Sequence, residues 1–184
     1  MVLMIAGLAL FLGIHLVPAS RPVRDALTQG LSDRRYKALF SALSAIGLVL
    51  IVLGYRLAGP SDRLFAPLPA ARAAAPFIVT AAFVLLAASH MRGHIRRVLQ
   101  HPMIIGILLW SGVHLLANGD RRGTYLFGGF VAWAIVDLVA ALRRGPAAPF
   151  EAHVRYDLMA IVGGLIVAGI VVALHQPLFG VRPV

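Results

Sequence analysis

Six apolar stretches divide this 184-residue sequence, at 2–17, 36–55, 76–91, 102–117, 124–142 and 158–174, and none holds more than one Asp, Glu, Lys or Arg. A hydrocarbon core about 30 Å thick is crossed by roughly 17–25 helical residues, so each stretch approaches the length of a span. Lipid offers no water to backbone N–H and C=O groups, which leaves the helix as the form these stretches can take. The expected fold class is therefore all-α: a polytopic transmembrane helix bundle of about six helices, forming one integral-membrane domain over 1–184. Composition decides against the alternatives. Hydrophobic residues make up 60% and charged residues 13%, against about 25% charged in soluble domains. That excludes a soluble globular domain, and it excludes disorder, which needs low hydrophobicity. Cysteine is absent, so disulfides, thiolate metal sites and cysteine catalysis are excluded as well.

The net charge of +10 sits between the apolar runs rather than along a basic stripe with interleaved aromatics. No nucleic-acid partner is expected from that pattern; the lipid bilayer is. Counting arginines and lysines gives eleven in the first, third and fifth loops (Arg21, Arg24, Arg34, Arg35, Lys37, Arg92, Arg96, Arg97, Arg143, Arg144, Arg155) and six on the other side (Arg56, Arg63, Arg72, Arg121, Arg122, Arg182). The positive-inside bias then directs both termini away from the cytoplasm. Val17-Pro18-Ala19 faintly resembles a signal cleavage site. No positive residue precedes the first run, however, and arginines follow it, so it reads as a retained helix. In the segment 20–37, Val23, Leu27 and Leu31 recur every four residues. That spacing fits a short amphipathic helix at the membrane surface or a solvated linker.

An ionisable group in a membrane helix costs at least about 2.5 kcal/mol at mid-bilayer, so each one is a functional candidate. Seven histidines form the richest set: His15, His90, His94, His101, His114, His153 and His175. Neutral imidazole is a common ligand for haem iron and other metals. His15 lies late in the first run, where it serves either as a ligand or as a packed side chain bonded to a neighbouring carbonyl. His114 follows the uncharged stretch 103–113 and precedes Asn118-Gly119-Asp120; it needs either a partner or a ligand. His101 precedes Pro102 and is expected just outside a helix start. His90 and His94 share the spacing i, i+4, which on one helix puts them on one face. Arg92, Arg96 and Arg97 disfavour a cation there, and an interfacial polar cluster is the better reading. His153 is expected in a loop and His175 at the interface. Asp137 interrupts an apolar run and is expected to find an arginine or histidine partner at the inner ends of the first, third or fourth stretch. Asp157 is expected to cap the last helix. Gly128-Gly129, Gly163-Gly164 and Gly169 read as points of close helix packing. Nothing indicates a serine nucleophile, a phosphate loop or paired catalytic carboxylates.

Two groups of residues carry a resemblance. Gly13-Ile14-His15-Leu16-Val17-Pro18-Ala19 and Arg34-Arg35-Tyr36-Lys37-Ala38-Leu39-Phe40-Ser41 form the first. His101-Pro102-Met103, Leu109-Trp110, His114-Leu115-Leu116-Ala117-Asn118-Gly119-Asp120 and Leu126-Phe127-Gly128-Gly129-Phe130 form the second, more specific group. Together they resemble the NnrU family of bacterial membrane proteins, over most of the chain up to about Ala140. The resemblance implies a place in the bacterial inner (cytoplasmic) membrane, where the charge bias makes both termini periplasmic, and a link to denitrification and nitrogen-oxide metabolism. The family is also similar to the 15-cis-zeta-carotene isomerase, a membrane enzyme that uses haem b. By motif, its implicated axial ligands correspond to His15 and His114. A cysteine of that enzyme, three residues before the second histidine, is replaced here by Ser111, which puts cysteine-dependent ligand switching in doubt.

If every stretch spans, the first and fourth run in opposite directions. His15 and His114 then differ in depth by on the order of 10 Å, and His101, at the depth of His15, is the geometric alternative. Three expectations follow. The first is a haem b membrane protein in nitrogen-oxide metabolism, acting through redox chemistry or sensing of a gas such as nitric oxide. The second is a haem-dependent cis–trans isomerase of a hydrophobic polyene such as a carotene. The third is a non-haem membrane assembly partner whose histidines serve packing alone.

Overall fold

A computed structural model describes residues 1–182, and among the described residues the chain forms eight helices and no strand. They are α1 (Val2–Leu16), α2 (Arg21–Thr28), α3 (Asp33–Leu57), α4 (Pro69–Ala88), α5 (His94–Leu99), α6 (Pro102–Asn118), α7 (Arg121–Arg143) and α8 (Val154–Phe179). The six apolar runs are α1, α3, α4, α6, α7 and α8. Four of these, α3, α4, α7 and α8, are long and apolar enough to cross a membrane, while α1 and α6 are shorter apolar helices. The protein is thus a multi-pass, all-α membrane protein.

The largest departure from the expected boundaries is at α4, which begins seven residues before Pro76. Pro69 occupies the first helical turn, where its missing N–H is no loss. Pro76 then lies inside the helix rather than starting it. The Thr80 hydroxyl donates to the Pro76 carbonyl at 2.6 Å. Of the two readings of 20–37, the fold shows the helical one. In α2, Val23 and Leu27 lie one turn apart, and each is about half exposed. Ser32 caps α3 by accepting from the Arg35 N–H.

The chain divides into two compact units, 1–62 and 63–184. In the first, α1 runs antiparallel against α3. Gly7 lies on Ile51 and Gly47, Phe11 lies on Gly47, and Met4 lies on Gly54. A Cβ at Gly7 would stand 2.7 Å from the Ile51 nitrogen, so the two backbones approach as closely as only small residues permit. Met4 and Ile51, both buried, fill the seam on either side.

In the second unit, α4 packs between α6 and α8, α7 packs on α6, and the short α5 touches α4, α6 and α8. Gly106 lies on Ala82 of α4, and Gly164 lies on Val84. This corrects part of the glycine reading: Gly128, Gly163 and Gly169 meet nothing within 4 Å of an added Cβ. Successive helical residues are rotated by about 100°, so Gly163 faces away from the seam that its neighbour occupies.

Candidate functional site

In the first unit, the site is built on the end of α1. His15 is half-buried, and its Nδ1 lies 2.7 Å from the Phe11 carbonyl one turn back. A carbonyl only accepts, so the proton is on Nδ1 and the neutral ring keeps its lone pair on Nε2. The ring stacks on Phe11 at 4.2 Å between centroids and meets the edge of Phe40 at 5.0 Å. Phe40 belongs to a stripe on one face of α3, Tyr36, Phe40 and Ser44, spaced every four residues. The Tyr36 and Ser44 hydroxyl oxygens are buried with no hydrogen-bond partner among the described residues. A buried hydroxyl without a partner costs about 1–3 kcal/mol, which marks the stripe as a place where a polar group is wanted. Sequence reading missed both hydroxyls. Their common spacing with Phe40 was the available signal.

The second unit repeats the imidazole arrangement. His114 in α6 is half-buried, and its Nδ1 donates to the Trp110 carbonyl at 2.8 Å. Nε2 again carries the lone pair. Phe127 of α7 tilts against the ring at 4.8 Å, and Trp110 lies at 5.4 Å. Trp110 itself meets the edges of Phe127 and Phe130, so the wall is aromatic throughout. Ser111 is fully buried, and its hydroxyl donates to the Ile107 carbonyl in its own helix at 2.7 Å.

The motif after His114 proves to be a clamp. Asn118 Nδ2 donates to the His114 carbonyl at 2.7 Å. Gly119 ends α6 with φ +70°, and its carbonyl accepts from Leu64 N–H at 2.8 Å. Asp120 caps α7 by accepting from Gly123 N–H, and it holds the buried Arg122 at 3.1 Å. Arg72 Nε donates to the Ala117 carbonyl at 2.9 Å, tying α4 to the same end.

His101 stands where expected, as the N-cap of α6 before Pro102. It is thirteen residues from His114 on one helix, about 20 Å along the axis, so the two do not meet at one point. His175, read from sequence as interfacial, donates from Nδ1 to the Val181 carbonyl at 2.8 Å. Counting along the antiparallel helices from the Gly106–Ala82 and Gly164–Val84 contacts puts His114 and His175 at the same turn of α4, near residue 75.

Three polar expectations are corrected. His90 and His94 do not share a helix face, because α4 stops at Ala88 and His94 opens α5 after Gly93. His90 Nδ1 instead meets the Ser89 hydroxyl at 2.8 Å. Asp157 serves α5 rather than its own helix. Its carboxylate accepts from the His94 and Ile95 N–H groups, both at 2.9 Å, and from His94 Nδ1 at 2.8 Å. Asp137 pairs within its own chain segment, with Arg144 at the end of α7, 3.8 Å away. His153 lies in the loop as expected, as the non-helical N-cap of α8, and its N–H donates to the Arg92 carbonyl at 3.0 Å. No cluster of three or more metal-binding side chains is present among the described residues.

Comparison with known proteins gives one family. The family described as NnrU protein matches residues 3–183. No curated protein and no solved structure matches.

Proposed function

Because this chain belongs to the NnrU family over nearly its whole length, we propose that it holds haem b through histidine nitrogens and serves nitrogen-oxide metabolism in the bacterial inner membrane. The supporting observation is the matched state of His15 and His114. Each fixes its Nδ1 proton on a backbone carbonyl one turn back and keeps Nε2 as the electron-pair donor. Histidine ligands are oriented in this way by a hydrogen bond from the other ring nitrogen. Aromatic rings pack against each imidazole, Phe11 and Phe40 on His15 and Trp110 and Phe127 on His114. His15 and His114 would be the first choice to hold the group, and His101 the alternative to His114.

When bound, haem would supply a redox-active iron. The chain's own residues then have defined tasks. Phe11, Phe40, Trp110 and Phe127 exclude water from the imidazoles and restrict their rotation. The hydroxyls of Tyr36 and Ser44 offer hydrogen bonds to a polar group beside His15. A second reading, cis–trans isomerisation of a polyene, is favoured by one observation: His15 is only half-buried, which leaves part of its ring open to an apolar molecule in the bilayer.

The test is the reduced-minus-oxidised absorption spectrum of the detergent-purified protein, expressed with haem supplied, for wild type, His15→Ala and His114→Ala. A split haem spectrum in wild type, lost or shifted in the variants, is the expected result. A folded, colourless wild type overturns the reading and leaves the assembly-partner expectation. Conversion of a cis-polyene by the reconstituted coloured protein would favour the second reading over the first.

A further inference from the structure

At the end of the second unit opposite the Asp120 clamp, α5 and the loop before α8 line an open cavity of about 210 Å³. Arg96, Arg97 and Gln100 form one wall, and residues 147–150 form the other. The Arg96 guanidinium lies over the Phe150 ring at 5.4 Å. Neither arginine makes an ion pair or side-chain hydrogen bond among the described residues. The acids nearby do not neutralise them: Asp157 is bonded to His94 and to the start of α5, and Asp137 is held by Arg144. Glu151 makes no ion pair among the described residues. Gln100 closes α5 at φ 57°, the one non-glycine residue with positive φ among the described residues, and such strain gathers at functional sites.

The same short helix carries apolar side chains facing outward. Val98 is 73% exposed and Leu99 is 37% exposed, directly beside the two arginines. Apolar groups next to cations, at the end of a set of membrane-crossing helices, match the boundary between acyl chains and phosphates. The cavity is smaller than the roughly 300–1,000 Å³ of sites for drug-sized molecules, so it suits a headgroup alone. The excess of arginines assigns this end to the cytoplasmic side, where anionic lipid is concentrated.

We propose that Arg96 and Arg97, with Gln100 and Phe150, form a binding site for the phosphate of an anionic phospholipid. Each guanidinium offers paired N–H donors that match phosphate oxygens. Val98 and Leu99 meet the upper acyl chains, and Phe150 holds Arg96 in place. The site is independent of any haem.

Native mass spectrometry of the detergent-purified full chain tests this, with phosphatidylglycerol and phosphatidylcholine as probes. Wild type should retain one phosphatidylglycerol and no phosphatidylcholine. A surface arginine contributes about fivefold, so Arg96→Gln/Arg97→Gln should weaken retention about 25- to 30-fold. Arg34→Gln/Arg35→Gln removes the same charge elsewhere and should retain the lipid. Ala148→Trp fills the cavity without changing charge and should also lose the lipid, which keeps the test valid if the double variant does not fold. Equal loss in both arginine pairs would show a net-charge effect and overturn the site. Displacement of the lipid by millimolar inorganic phosphate would show a soluble anion as the ligand and overturn the lipid assignment.

Discussion

Replacing Gly54 by alanine should separate α1 from α3. A Cβ at Gly54 would stand 2.6 Å from the Met4 Cα and 2.9 Å from the Leu3 carbonyl carbon, and closer still to the Met4 nitrogen. These are backbone atoms and cannot rotate aside. Restoring an ordinary contact of about 3.4 Å to the nearest of these atoms requires α1 to move outward by about 1 Å, and a radial gap of that size forfeits up to about half of each opened contact. Overpacking of this kind costs about 1–3 kcal/mol, while alanine returns up to about 1 kcal/mol of helix propensity. Gly163→Ala has the propensity gain without the clash, since nothing lies within 4 Å. The two variants should therefore differ by about 2 kcal/mol, or roughly thirtyfold in the opening equilibrium. The chain has no cysteine, so Leu8→Cys, buried on α1, gives a single labelling site. Maleimide labelling of that thiol in detergent should be at least tenfold faster with Gly54→Ala than with Gly163→Ala. Equal rates would refute the close-packing argument for this seam.

Three further outcomes follow from the second unit. Gly164→Ala should lower the thermal midpoint, because its Cβ meets the Val84 backbone, whereas Gly169→Ala should leave the midpoint unchanged or raise it; circular dichroism on heating separates them. Asp157→Asn should cost about 2–4 kcal/mol by weakening charge-assisted bonds to α5, and trypsin should then cut faster at Arg96 and Arg97; an unchanged cleavage rate would remove Asp157 as the anchor. Gly119→Ala should destabilise by about 1–3 kcal/mol, since the residue has φ +70° and faces the Phe65 carbonyl; a midpoint equal to wild type in the same melt would count against the clamp.

How far the site could be read in advance differs from residue to residue. His15 and His114 were visible because an ionisable group inside an uncharged run has no cheap explanation. Their partners were partly visible too, since a bond to the carbonyl one turn back is local. The Asp157 bond was not: it joins residues sixty-three positions apart, and nothing local separates a cap of its own helix from a cap of another. The break between His90 and His94 was also hidden, because Gly93 ends the pattern only once Asp157 supplies partners for the next N–H groups.

The sequence by itself determined that this chain is a set of membrane-crossing helices, because hydrocarbon leaves a long apolar segment no other way to satisfy its backbone. It also determined the family, through motifs local to single helices. The tertiary structure decided which glycines form seams, which carboxylate holds α5, and which hydroxyls lie buried beside His15. Those are properties of facing surfaces, set by helix rotation and register, and a residue one position away on the same helix points about 100° elsewhere.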